Sequence, residues 1–126
     1  MSLYEQFLYH PDREYRNCVL GMIQHRFKWA GESGDLSEID CLLKGPDFDL
    51  DQLEDKYIRE LAKIAVDIDY LCNKYFGFWP NWTQHPRLRL KEPYFDKHFE
   101  PTDIFICPQE MLNHNYFCDV NSLEAI

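Results

Sequence analysis

The chain has 126 residues, of which 45% are hydrophobic, 16% aromatic and 28% charged. This composition is too apolar for a disordered chain, and the length suits one domain, residues 1–126, with one hydrophobic core. The formal net charge of -9 argues against a nucleic-acid binder, because such proteins present clustered Lys and Arg to phosphates.

Two helices are predicted at the amino terminus. The first contains four apolar residues at helical spacing between 3 and 8, and Pro11 is expected to open the second helix at its first position. From 12 to 30 an apolar stripe repeats every three or four residues, and Gly31 is expected to end that helix. The stripe consists of Tyr15, Cys18, Val19, Met22, Ile23, Phe27 and Ala30.

A short helix and a long helix are predicted next. Asp35 has the spacing of a helix cap, and the apolar residues between 36 and 43 predict a short amphipathic helix closed by Gly45 and Pro46. The apolar repeat from 50 to 76 predicts a long helix of about seven turns, capped by Asp49 or Asp51 and ended by Gly77. Its other residues are expected to form a solvated charged face that includes Lys56, Arg59, Lys63 and Lys74.

The segment after Gly77 is rich in proline and aromatic residues, and prolines recur too often for another long helix. Short strands are predicted at 87–91 and 103–107, a helical turn at 108–113 and a third extended piece at 116–120. The predicted fold class is therefore mainly α. It has three or four helices, one of them long and central at about 50–76, and an irregular carboxyl-terminal half with room for a small β-sheet. The helical part covers 1–76, and the loop-rich part, 77–126, is expected to wrap against it.

Cysteine usage and the lack of a targeting pattern predict a cytoplasmic protein. The five cysteines are odd in number and widely spaced, so free thiols are expected instead of a disulfide framework. No window approaches the ~20 apolar residues of a membrane-spanning helix, and residues 1–10 lack the basic and apolar regions of a secretory signal. We therefore expect a soluble protein without a membrane partner.

The acidic residues are concentrated in one segment. Between 32 and 55 there are nine acidic residues and one Lys, which gives this segment a net charge of -8. The leading hypothesis is a non-catalytic interaction module, such as an inhibitor or immunity-type protein, that docks a basic partner surface through residues 32–55. The alternative is that the acidic surface only maintains solubility. The predicted partner-binding residues are Glu38, Asp40, Asp47, Asp49, Asp51 and Asp55.

A second hypothesis places a ligand pocket between the long helix and the aromatic loops. The aromatic run after residue 75 is predicted to be a hydrophobic plug, and exposure of its tryptophans would instead indicate a binding patch. In this second hypothesis the protein is a small enzyme or a ligand-binding protein. The predicted pocket residues are Trp79, Trp82, His85, Tyr94 and His98.

Metal and catalytic motifs receive little support. The ligand types of zinc occur at His98, Cys107, His114 and Cys118, but their gaps of eight, six and three residues are unlike the close pairs of structural zinc sites. The acids at 47–51 resemble half of a calcium loop that lacks its Gly and its final Glu. No phosphate-binding loop or nucleophile elbow occurs. We therefore predict no cofactor, assign no catalytic residue and consider an enzyme the less favoured class.

Overall fold

The computed structural model describes residues 2–123 as helices joined by short 3-10 turns, with one small sheet. The α-helices of these residues are α1 (Leu3–Tyr9), α2 (Arg13–Ser33), α3 (Asp40–Lys44), α4 (Asp55–Phe76) and α5 (Gln109–His114). The strands are β1 (Tyr94–Phe95) and β2 (Tyr116–Phe117), paired in parallel with Tyr94 opposite Tyr116. The predicted mainly α class, with a long central helix and a small sheet, is confirmed.

Helix α4 is the central element because it is buried on more than one face. It has 22 residues, which gives a length of about 33 Å. Leu61, Ile64 and Ile68 belong to a core cluster shared with α1, α2 and α3. Ala62 and Val66 belong to a second cluster that includes residues of α5 and β2. The carboxyl-terminal segment therefore packs against the long helix, as predicted.

The start of α4 lies later than predicted. Leu50–Gln52 form a 3-10 turn, and the Asp49 carboxylate accepts the backbone N–H of Asp51 within that turn. The prediction that Asp49 or Asp51 caps the long helix is wrong, because α4 begins at Asp55. Arg87 provides the physical reason: its guanidinium donates to the carbonyl oxygens of Leu50 (2.5 Å) and Leu53 (2.7 Å), so these acceptors are already satisfied outside a helix.

Helix α2 differs from its prediction at both ends. Asp12 is the N-cap, so Pro11 precedes the helix instead of opening it, and the helix runs past Gly31 to Ser33. Gly34 ends it with a left-handed backbone at φ 76°. The predicted stripe is partly wrong because Tyr15, Cys18 and Met22 are exposed, and the residues buried in the core are Val19, Ile23, Phe27 and Ala30.

The carboxyl-terminal segment contains helical turns where strands were predicted. Residues 86–88 and 101–105 form 3-10 turns, each opened by a proline at its first position, so the predicted strands at 87–91 and 103–107 are wrong. The predicted helical turn at 108–113 corresponds to α5, and the extended piece at 116–120 begins with β2. Pattern reading missed β1, which has only two residues.

Candidate functional sites

The acidic segment lies on the surface, and part of its charge is paired locally. Lys44 lies 2.8 Å from Asp40, Arg87 lies 2.6 Å from Asp55, and His85 Nε2 lies 3.2 Å from Asp51. The two ion pairs, made by Lys44 and Arg87, reduce the attraction that Asp40 and Asp55 can offer a partner. All nine acidic side chains of the segment are exposed: Glu32, Asp35, Glu38, Asp40, Asp47, Asp49, Asp51, Glu54 and Asp55.

A tryptophan lies at the amino-terminal end of this segment. Trp29 is on the solvent side of α2, two residues beyond the buried Phe27, and 60% of its surface is exposed. Gly34 ends α2 with a left-handed backbone, and the 3-10 turn that follows, Leu36–Ile39, contacts α2. The result is an open groove, here called the Trp29 groove, lined by Trp29, Glu32, Ser33, Asp35 and Glu38. Glu38 is the only predicted partner-binding residue that lines it.

A second group of polar and ionisable side chains is buried between α4, the loop after it and α5. Asp69, Thr83 and His114 are each at most 2% exposed. The Thr83 hydroxyl lies 2.5 Å from Asp69 Oδ1, and His114 Nε2 lies 2.7 Å from Asp69 Oδ2. Nearby, Trp79 donates its indole N–H to Glu110 at 3.0 Å. Burial raises the pKa of Glu110, and the hydrogen bond from Trp79 only partly offsets this effect.

The hydrogen bonds of His114 fit a structural link better than a catalytic group. Its Nδ1 lies 2.7 Å from the carbonyl oxygen of Leu88, which can only accept, so Nδ1 carries a proton. Its Nε2 is occupied by Asp69, and the Thr83 hydroxyl contacts the carboxylate instead of the imidazole. A general base needs a free ring nitrogen facing the nucleophile, and neither nitrogen of His114 is free. The network therefore ties α5 and the loop after α4 to the long helix.

A third group surrounds Lys63, which the sequence analysis placed on a solvated face. That prediction is wrong: the Lys63 side chain is 13% exposed, and its ammonium lies 3.0 Å from Oδ1 of the buried Asp67. The same ammonium lies 3.5 Å from Cys118 Sγ. Burial by itself lowers the pKa of Lys63, but the Asp67 carboxylate outweighs it and raises the pKa above the ordinary value. Burial raises the pKa of Asp67, and the bond from Lys63 offsets only part of that increase.

The predicted pocket residues lie at separate places. Trp79 contacts Glu110, and Trp82 donates to the carbonyl oxygen of Leu42 at 2.8 Å and packs edge-on against Tyr4. Tyr94 packs against Tyr116 and under the guanidinium of Arg59. His85 lies beside Asp51, and His98 lines a cleft beside Lys63. Neither tryptophan is an exposed residue, so both fit the predicted plug better than a binding patch.

The four zinc-type residues are also dispersed. His114 is held by Asp69 and Leu88, Cys118 lies beside Lys63, and Cys107 donates its thiol to the carbonyl of Ile104. His98 is exposed. Within residues 2–123, no three His, Cys, Asp or Glu side chains are placed to hold a metal ion.

Sequence reasoning missed Trp29, Lys63, Asp67 and Asp69 as site residues, although two of them carried a signal. Asp67 and Asp69 interrupt the apolar run from 64 to 72, and a carboxylate inside such a run needs a partner. The partners of Asp69 are Thr83 and His114, which lie 14 and 45 residues away along the chain, so helix spacing could not identify them. The partner of Asp67 is Lys63, four residues earlier on the same helix, and helix spacing does allow that pair.

Comparisons with known proteins give no family assignment. No protein-family model, curated protein or solved structure matches the chain. None of the helices in residues 2–123 combines the length and the apolar character that a membrane crossing requires.

Proposed function

We propose that this protein is a non-catalytic interaction module that docks a basic partner surface on the Trp29 groove. The observation that carries the proposal is the exposure of Trp29, at 60%, in a groove lined by the acidic residues Glu32, Asp35 and Glu38. Binding of a partner that covers a large exposed aromatic side chain removes apolar surface from water, which favours the complex. Tryptophan is also enriched among interface hot spots.

The chemistry of the groove favours an arginine or lysine side chain as the occupant. The face of an indole ring attracts a cation, and nearby carboxylates add a charge-assisted hydrogen bond or an ion pair. No ion pair neutralises Glu32 or Glu38 in the described part of the chain, unlike Asp40 and Asp55. A basic side chain would therefore find both an aromatic surface and unpaired carboxylates at one place.

The rest of the acidic segment supports the same proposal through long-range attraction. A field of one sign raises the rate at which an oppositely charged partner arrives, and added salt screens it. Asp40, Asp47, Asp49, Asp51 and Asp55 would act mainly in this way, whereas contact would centre on Trp29, Glu32 and Glu38. The proposal thus separates a contact site from a steering surface.

A titration with a defined probe tests the contact site. The probe is an acetylated, amidated hexapeptide of alternating Arg and Gly, added to 15N-labelled protein while the indole N–H resonances are recorded. We expect the Trp29 indole to shift saturably. The indoles of Trp79 and Trp82 should not move, because both donate to protein acceptors and neither lies in the groove.

Two charge-matched variants make the test specific. Glu32→Gln with Glu38→Gln removes two groove carboxylates, and Glu14→Gln with Glu92→Gln removes two exposed carboxylates outside the acidic segment. We expect the first pair of substitutions to raise the peptide Kd obtained from the Trp29 shift about tenfold. The second pair should raise this Kd much less. An equal loss in both pairs, or no movement of the Trp29 indole, would contradict the proposal.

A further inference from the structure

An apolar patch is exposed on the carboxyl-terminal segment. Ile104, Phe105 and Ile106 follow one another in the chain and are 42%, 87% and 68% exposed, and Phe95 is 52% exposed. A soluble protein rarely leaves three consecutive large apolar residues in water unless another surface covers them. These four residues, here called the Phe105 patch, therefore form a candidate contact surface.

An ordered turn holds Phe105 in this exposed position. Pro101–Phe105 form a 3-10 turn, and the Asp103 carboxylate accepts the backbone N–H of Glu100 at 3.0 Å. The backbone N–H of Ile106 donates to the carbonyl oxygen of Asp103, also at 3.0 Å. A surface that is ordered before association loses less conformational entropy when it binds. The turn thus presents Phe105 in a form suited to binding.

An apolar groove, here called the aromatic groove, lies directly beside Phe105. It has a volume of about 380 Å³, and its lining residues are Phe95, Phe99, Pro101 and Ile104. The rings of Phe95 and Phe99 pack against the buried ring of Phe117, with centroid distances of 4.9 Å and 5.7 Å. Because Phe105 follows Ile104 in the chain, a protruding side chain and an apolar groove occupy neighbouring places on one surface.

We propose that the Phe105 patch binds a second copy of this chain, and that Phe105 of each copy enters the aromatic groove of the other. A two-fold dimer uses the same patch on both copies, so the patch must be complementary to itself. A two-fold axis between the protruding ring and the groove places each ring opposite the groove of the other copy. This surface is separate from the Trp29 groove, so the dimer goes beyond the proposed docking function.

The exposed area and the charge distribution both favour this occupant. At about 200 Å² for a fully exposed large side chain, the Phe105 patch offers roughly 500 Å² of apolar surface. A stable interface buries about 800 Å² on each partner, so the patch would supply more than half of that area. Of the net charge of -9, -8 lies in residues 32–55, outside the patch. Repulsion between two copies is therefore concentrated elsewhere on the chain.

Sedimentation velocity of the purified, reduced protein tests the dimer at concentrations from about 5 μM to about 500 μM, which covers a micromolar Kd. We expect a reversible equilibrium between monomer and dimer. Phe105→Lys should raise the dimer Kd about hundredfold or more, because each dimer loses two buried aromatic contacts. Phe105 is 87% exposed, so this variant is expected to fold. The substitution also makes the net charge less negative, so added repulsion would not explain the loss.

Trp29→Lys is the matched control. It makes the same change in charge at the most exposed aromatic residue outside the patch within residues 2–123. This variant should dimerise at least as well as the original protein, whatever happens to the peptide titration. If the original protein stays monomeric at all concentrations, or if Phe105→Lys dimerises equally well, the second copy is overturned as the occupant. The patch would then belong to another apolar protein surface or to a lipid surface.

A mixing experiment tests whether Phe105 of one copy enters the groove of the other. Ile104→Glu places a charge in the groove, so this variant should be monomeric when alone, as Phe105→Lys should be. An equal mixture of the two should form a dimer. In that dimer an intact Phe105 meets an intact groove, and the two introduced charges are opposite. A monomeric mixture of the two folded variants would overturn the proposed arrangement.

Discussion

At the scale of single residues, this chain has acidic side chains inside its core as well as on its surface. Asp67, Asp69 and Glu110 are all at most 4% exposed, and each has at least one donor from a cation, a histidine, a hydroxyl or an indole. The sequence marks two of these acids by their position in an apolar run, although neither was predicted as a site residue. Helix spacing allows Lys63 as the donor to Asp67, but the donors to Asp69 and Glu110 come from distant segments that only the folded chain brings together.

The pair of Lys63 and Asp67 gives the first prediction. Lys63→Met leaves a carboxylate buried without its cation, so we expect the free energy of unfolding to fall by about 3 kcal/mol in urea denaturation at neutral pH. Adding Asp67→Leu should recover most of this loss, because no uncompensated charge then remains. A loss below about 0.5 kcal/mol in the single variant, as for exposed ion pairs, would contradict the buried pair.

Glu110 gives a prediction about pH. Burial raises its pKa above the ordinary 4.5, so the folded protein holds this proton more tightly than the unfolded chain does. The stability contributed by this group is complete below pH 4.5 and is lost as the pH rises through the raised folded pKa. Glu110→Gln keeps an acceptor for Trp79 and cannot ionise. It should therefore remove this loss, so that the variant gains stability relative to the original protein as the pH rises.

The control for this prediction is Glu92→Gln, which removes an exposed carboxylate from the same half of the chain. Urea denaturation of the three proteins between pH 4 and pH 7 measures the difference. If Glu110→Gln and Glu92→Gln follow the same pH dependence as the original protein, the raised pKa of Glu110 is contradicted.

At the scale of elements, glycines predicted the ends of helices correctly where a positive φ ends the helix. Gly45 and Gly77 end α3 and α4 at the predicted positions, both with positive φ. Gly31 was misread because its role is packing: a Cβ there would lie 2.5 Å from Cδ1 of Tyr75 on α4.

The start of α4 was misplaced because it depends on Arg87, which lies 32 residues beyond Asp55 in sequence. Short-range patterns cannot include such a contact.

The two glycines of α2 offer a matched comparison of these roles. Gly31→Ala should lower the free energy of unfolding by about 1–3 kcal/mol, because the added methyl group collides with the Tyr75 ring. Gly21→Ala should instead raise it by about 1 kcal/mol, because the new methyl group enters open space and the helix gains propensity. Thermal unfolding of both variants measures the signs, and a stabilising Gly31→Ala would contradict the close approach of α2 and α4.

At the scale of the whole molecule, α4 joins two core clusters, and the acidic segment lies in the connections between α2 and α4. Charge counting in the sequence predicted the acidic surface but could not show which carboxylates are paired. It also could not show that Trp29 faces solvent beside them. Exposure of an aromatic residue depends on the turn at Gly34 and on the packing of Phe27, both of which belong to the folded chain.

Partner capture tests the docking proposal most directly. The purified, reduced protein and its Trp29→Ala and Glu32→Gln, Glu38→Gln variants are used to capture proteins from extracts of the cells that express it, at low and high salt. We predict a partner that binds the original protein, is released by salt and is lost from both variants, while the Glu14→Gln, Glu92→Gln control retains it. A partner held equally by all four proteins, or no salt-sensitive partner, would contradict docking at the Trp29 groove.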